Sequence, residues 1–144
     1  VVVLVVIGAI MFSQKSQNGD SSGLMAGKNA INVNEQAPAS EARVSMAVLE
    51  GEGYVVVHEV SAGVPGKVLG ASELLPKGKS ENVPVSLVSP LFLGQKYTAM
   101  LHLDDGDGVF DIALDLPAQD EVTGGPIMME FEVSAAGGPD AVSI

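Results

Sequence analysis

Residues 97–115 read YTAMLHLDDGDGVFDIALD, and the way this stretch is parsed decides the fold. Tyr97, Ala99, Leu101 and Leu103 alternate with Thr98, Met100 and His102. A period of two marks a strand with one buried face. Beyond the tip, Phe110, Ile112, Leu114 and Leu116 alternate with Asp111, Ala113 and Asp115, which predicts a second arm with its apolar residues inward and its acids outward. The tip between the arms is Asp104, Asp105, Gly106, Asp107 and Gly108. Asp-Gly pairs favour turns because glycine takes positive φ at little cost and aspartate tolerates it. A β-hairpin with a loose, acidic connection is the expected result.

Working outward, short strands are predicted on both sides of this hairpin. Residues 30–34 form a first strand, and residues 42–49 a second with Val44, Met46 and Val48 on one face. Residues 53–60, GYVVVHEV, are the strongest, with three consecutive valines. A loop over 61–66 leads to a short edge strand over 67–71, and a turn at 76–80 precedes a strand over 82–88 that points Val83, Val85 and Leu87 inward. Pro84 cannot donate to a ladder, so that strand is expected at a sheet edge. Residues 127–133, IMMEFEV, close the domain. Seven or eight strands at short spacing, with no convincing amphipathic helix, predict an all-β domain over 30–134. An immunoglobulin-like β-sandwich is the economical choice, with a closed barrel as the alternative.

Residues 1–12, VVVLVVIGAIMF, are uninterrupted apolar sequence. A membrane-spanning helix uses roughly 20 such residues and a signal h-region roughly 7–15. The segment reads as a truncated transmembrane anchor, with the remnant of a cleaved signal as the alternative. A pilin-like helix is a weaker third reading, because the early glutamate of bacterial type IV pilins is missing. Residues 13–29 are polar and rich in Gly and Ser, which predicts a flexible linker. Residues 135–144 read as a tail. The expected location is therefore the cell membrane, single-pass with an extracytoplasmic domain, or a secreted chain.

Composition narrows the function. The chain has 18 acidic and 7 basic residues, a net charge of −11, and neither Lys nor Arg after Lys96. Phosphate backbones would be repelled, so no nucleic acid is expected as a partner. The absence of cysteine excludes disulfides, thiol catalysis and Cys-ligated zinc. Gly and Pro are frequent (17 and 8 residues) and the apolar fraction is 47%, a mixture that suits many strands and turns around a real core.

Three sets of residues invite chemistry. The first is the acidic tip. Asp104, Asp105, Asp107 and Asp111 supply hard oxygen donors on a Gly-permitted loop, the kind of set Ca²⁺ uses. The EF-hand pattern fails, however. With Gly108 at the invariant glycine, positions one and twelve fall on Leu103 and Leu114. A solvated acidic turn is the competing reading. The second set is His58, His102 and Met100, donors that suit copper or zinc. Here the strand phases predict His58 facing the core with Tyr54 and Val56, and His102 opposite the apolar Tyr97–Leu101 face. The two imidazoles are thus expected on different sides of their sheets, bonded to backbone or carboxylates. A blue-copper site is excluded for want of cysteine. The third set is Ser61 and Ser72, which lack the Gly-x-Ser-x-Gly elbow of a hydrolase. No enzyme activity is predicted.

Four segments taken together resemble a family of prokaryotic domains of unknown function, common in archaeal surface proteins. They are GYVVVHEV, PGKVLGASELLPKGKSENVPVSL, YTAMLHLDDGDGVFD and GGPIMMEFEV, spanning residues 31–133. The resemblance implies a β-sandwich carried on a secreted or anchored chain and no established activity. This sequence has Gly124-Gly125-Pro126-Ile127 where an Asp-x-Pro-Tyr-like stretch would be expected. Taken together, the reading is a non-catalytic, membrane-anchored extracytoplasmic module with a structural or interaction role. Its expected partner is an envelope protein or polysaccharide. The alternatives are a calcium-binding module built on the acidic tip and a part of an envelope hydrolase.

Overall fold

The computed structural model describes residues 29–135. The expected anchor over 1–12, the linker before residue 29 and the tail beyond residue 135 lie outside the described residues. Within them the chain is all-β, with no helix, and none is therefore long and apolar enough to cross a membrane. Seven strands form: β1 (Ala30–Asn32), β2 (Glu41–Leu49), β3 (Gly53–Ser61), β4 (Val64–Ala71), β5 (Gly78–Ser86), β6 (Lys96–Leu103) and β7 (Met128–Glu132). They make two antiparallel sheets, β1-β2-β5 and β4-β3-β6-β7.

One buried cluster draws on both sheets. Ala42, Val44, Val83 and Val85 come from the first, and Val55, Val57, Leu69, Ala99, Leu101 and Phe131 from the second. Two layers burying each other's apolar faces is what a sandwich requires. The chain between β1 and β2 crosses from one sheet to the other. Gln36 bridges Val133 in parallel and donates its amide to the Glu132 carbonyl at 3.2 Å. On the opposite side the edge strands β4 and β5 meet. A side chain at Gly70 would run into the Ser86 carbonyl oxygen, so this close approach requires glycine.

Most strands fall where alternation predicts, and β5, with Pro84, is at an edge. The expected loop over 61–66 is instead a two-residue turn. Ser61 pairs Val64, and Ala62 and Gly63 both have positive φ (54° and 81°), as a tight hairpin of right-handed twist demands. Two register shifts follow in the β3–β4 ladder, on either side of His58.

The predicted second arm of the central hairpin is not a strand. Asp111 starts a turn: its carbonyl accepts the Leu114 and Asp115 amides at 3.0 and 2.8 Å, and its carboxylate accepts the Ala113 amide at 2.8 Å. Aspartate offers the backbone local bonds that compete with a ladder. The phase also inverts. Ile112, Leu114 and Leu116 are 50–63% exposed, whereas Asp115 is fully buried. The chain then returns along β6 beyond the end of β7, with Leu103 donating to the Leu116 carbonyl and Ala118 to that of Leu101. Phe110 is thereby laid against the outside of the four-stranded sheet.

Candidate functional site

The site is built on the outer face of β3 and β6. Val55, Val57, Ala99 and Leu101 point into the inter-sheet core, so Tyr54, Val56, His58, Thr98, Met100 and His102 point the other way. These outer residues are buried as well, and the 104–118 segment folds back over the end of the face that carries Tyr54 and His102. Phe110 meets both Tyr54 and His102 edge-on, with ring centroids 5.3 and 5.8 Å apart.

At the end of this face the loop gathers four carboxylates. One oxygen each from Asp104, Asp105, Asp107 and Asp115 lies within 4.8 Å of the others. Three of these belong to the acidic tip identified from sequence. The fourth is Asp115, not Asp111. Asp111 is spent on the turn, and its amide donates to Asp115 Oδ2 at 2.6 Å, while the Asp105 amide donates to Asp115 Oδ1 at 2.8 Å. A buried carboxylate held by two N–H groups thus ties both ends of the loop to the domain. Asp104 accepts the amides of Gly106 and Gly108 at 3.0 Å each and the Tyr54 hydroxyl at 3.1 Å.

The electrostatics reflect the crowding. The Asp105 carboxyl is held above its usual range, chiefly by its hydrogen bond with the neighbouring Asp107 side chain. Asp107 is held below its own, first by the Val109 amide and then by Asp105. Burial and the hydrogen bond to Asp104 push the Tyr54 phenol up to about 12. The chemical capacity of such a site is for hard cations. Oxygens on opposite sides of a Ca²⁺ ion, at about 2.4 Å each, stand about 4.8 Å apart.

Behind the loop lie the two histidines, and the sequence expectation about them is overturned. They share one face and stack, with ring centroids 5.9 Å apart and planes 20° from parallel. Three consecutive valines in β3 conceal its phase: Val55 and Val57 take the core positions, which turns Tyr54 and His58 outward onto the side His102 occupies. Both rings do bond to backbone, His58 Nδ1 to the Gly66 carbonyl at 2.9 Å and His102 Nδ1 to the Asp115 carbonyl at 2.6 Å. Burial lowers the His102 pKa. Of the serines, Ser72 is engaged structurally, accepting the Val55 amide at 3.0 Å and donating to the Glu73 carbonyl at 2.9 Å.

Asp115 and the stacked imidazoles were missed from sequence. The Asp111-to-Asp115 spacing of four, just before Pro117, was the one available signal of a capped turn. The histidine pair needed the cross-strand register, which alternation alone does not supply. No curated protein and no solved structure matches the chain. A family model does match, over residues 29–134. These residues take in both sheets, the acidic loop and the histidine pair, and the chain belongs to the family described as Domain of unknown function (DUF7282).

Proposed function

We propose that this chain is a non-catalytic, extracytoplasmic module of a membrane-anchored surface protein, and that its acidic loop binds a hard divalent cation of the calcium type. The observation that carries the cation reading is the convergence of Asp104, Asp105, Asp107 and Asp115 within 4.8 Å on a loop clamped by the buried Asp115. Like charges at that spacing repel one another, and a divalent ion between them removes the repulsion. The strand order supports an immunoglobulin-like sandwich. In the lettering of that fold β1-β2-β5 corresponds to A-B-E, and β4-β3-β6-β7 to C′-C-F-G. The apolar run over 1–12 supports an anchor, and the acidic surface supports a role among cations rather than nucleic acids.

A thermal melt with and without millimolar CaCl₂, after chelator treatment, tests the cation reading. The melting temperature is expected to rise with calcium in the wild type and to stay put in Asp105→Ala/Asp107→Ala. An unchanged wild-type melt removes the reading. Protease shaving of intact cells tests the location: loss of the domain is expected, and full protection contradicts it. The exposed Val109, Ile112, Leu114 and Leu116 beside the loop support an interaction role for the same end of the domain.

A further inference from the structure

We propose that His58 and His102 form a second, separate metal site, which takes a soft monovalent ion, Cu(I), through their Nε2 atoms. A carbonyl oxygen only accepts, so the contacts to Gly66 and Asp115 place the proton of each ring on Nδ1. Each Nε2 is then a bare lone pair. Both Nε2 atoms are shut away from solvent, and neither has a hydrogen-bond partner among the described residues. The side chains are themselves buried, His58 being 7% and His102 1% exposed. Neither ring can satisfy the other, since both present an acceptor. Two orphaned acceptors on one buried face, in rings whose centroids stand 5.9 Å apart, are what a shared cation would satisfy.

The arrangement has the outer support that metal-ligating histidines use. An Nδ1–H bonded to a carbonyl fixes the ring and raises the basicity of the opposite nitrogen. The surroundings select the charge and softness of the ion. Asp115, the carboxylate nearest in the bonding network, has both oxygens engaged by the Asp105 and Asp111 amides. Aromatic Tyr54 and Phe110 close the site on the side of His102. A divalent ion would bring two charges into this setting without an anionic ligand, whereas Cu(I) brings one. Met100 offers a third donor type. In the β3–β6 ladder His102 stands opposite Tyr54 and Thr98 opposite His58. Between them Met100 stands opposite Val56, on the same buried face as both rings. Thioether and imidazole together suit Cu(I).

The test is an anaerobic titration of the full chain with Cu(I) presented as its bicinchoninate complex, whose colour reports the ion withdrawn. One equivalent per chain is expected to move to the protein. His58→Leu and His102→Leu are expected to lose this uptake, and Met100→Leu to weaken it at least tenfold. Asp105→Ala/Asp107→Ala is expected to keep it, which separates this site from the acidic loop. Long-range ¹⁵N NMR on the wild type with Ag(I), a redox-silent stand-in, keeps the proposal testable should a histidine variant fail to fold. Both Nε2 resonances are expected to shift while both Nδ1 atoms stay protonated. No withdrawal of Cu(I), uptake that survives loss of either histidine, or a shift confined to one ring would overturn the proposal.

Discussion

Strands β3 and β6 bury both of their faces, and the two faces are chemically opposite. The inner one is Val55, Val57, Ala99 and Leu101, packed against the second sheet. The outer one is Tyr54, Val56, His58, Thr98, Met100 and His102, all buried, with the 104–118 segment laid over its Tyr54 and His102 end. Burial on the inner face needs only shape and contributes stability in proportion to area. Burial on the outer face makes each unpartnered polar atom costly. Asp104 and Asp115 of the 104–118 segment partner Tyr54 and His102, Gly66 of β4 partners His58, and the two Nε2 atoms stay unpaired among the described residues. The lesson is that the inner face holds the fold, whereas the outer face couples a polar cluster to one loop.

That contrast can be broken by mutation. The largest effect is expected from the inner face. Leu101→Ala leaves a cavity between the sheets and should cost about 2–5 kcal/mol in urea unfolding, with the acidic loop unaltered in the fraction that stays folded. Next comes Asp115→Asn, which removes the charge that holds the Asp105 and Asp111 amides. A loss of about 2 kcal/mol is expected from weakened charge-assisted bonds. Asp111→Asn, by contrast, keeps an acceptor for the Ala113 amide and should cost under about 0.5 kcal/mol. Equal effects of the two substitutions would erase the distinction drawn between those aspartates.

The pH dependence of chelator-treated protein sharpens the same comparison. The folded-state pKa of His102 lies below its unfolded value, so the unfolded chain binds the proton first as pH falls. Stability is therefore fully present above about 6.5, the unperturbed value, and declines as pH drops from there toward the folded pKa. His102→Phe should flatten that limb of the curve, and a limb that persists would assign it to other groups. At the alkaline end the sign reverses. The Tyr54 pKa is raised to about 12, so its share of stability is lost as pH climbs from about 10. The smallest effect is expected at the exposed ion pairs Arg43–Glu41 and Lys79–Glu81, at 3.1 and 3.2 Å. Arg43→Gln or Lys79→Gln should change the free energy of urea unfolding by no more than about 0.5 kcal/mol, and less still in high salt.

Much of the inner face was legible in the sequence. Val83 and Val85 alternate cleanly, Pro84 marks an edge, and Tyr97, Ala99 and Leu101 fall on the buried side as alternation predicts. The outer face was not, for two physical reasons. Alternation locates one buried face and presumes that the other is wet, so a loop folding back over the second face is invisible to it. The run from Phe110 to Leu116 also alternates as a strand would. Its aspartates nevertheless bond the local backbone, which buries Asp115 and exposes Ile112, Leu114 and Leu116. Three of the four clustered carboxylates were still found, because the Asp-Gly tip signals its own turn. The fourth depended on the phase that failed.

The claim on which the rest turns is that the covering loop is organised around a cation. Isothermal titration calorimetry of CaCl₂ into chelator-stripped protein tests it most directly. The expected result is one ion bound per chain, with no binding in Asp115→Asn and none in Asp105→Ala/Asp107→Ala, each verified to be folded. A featureless wild-type isotherm, or binding that survives both substitutions, would contradict the account.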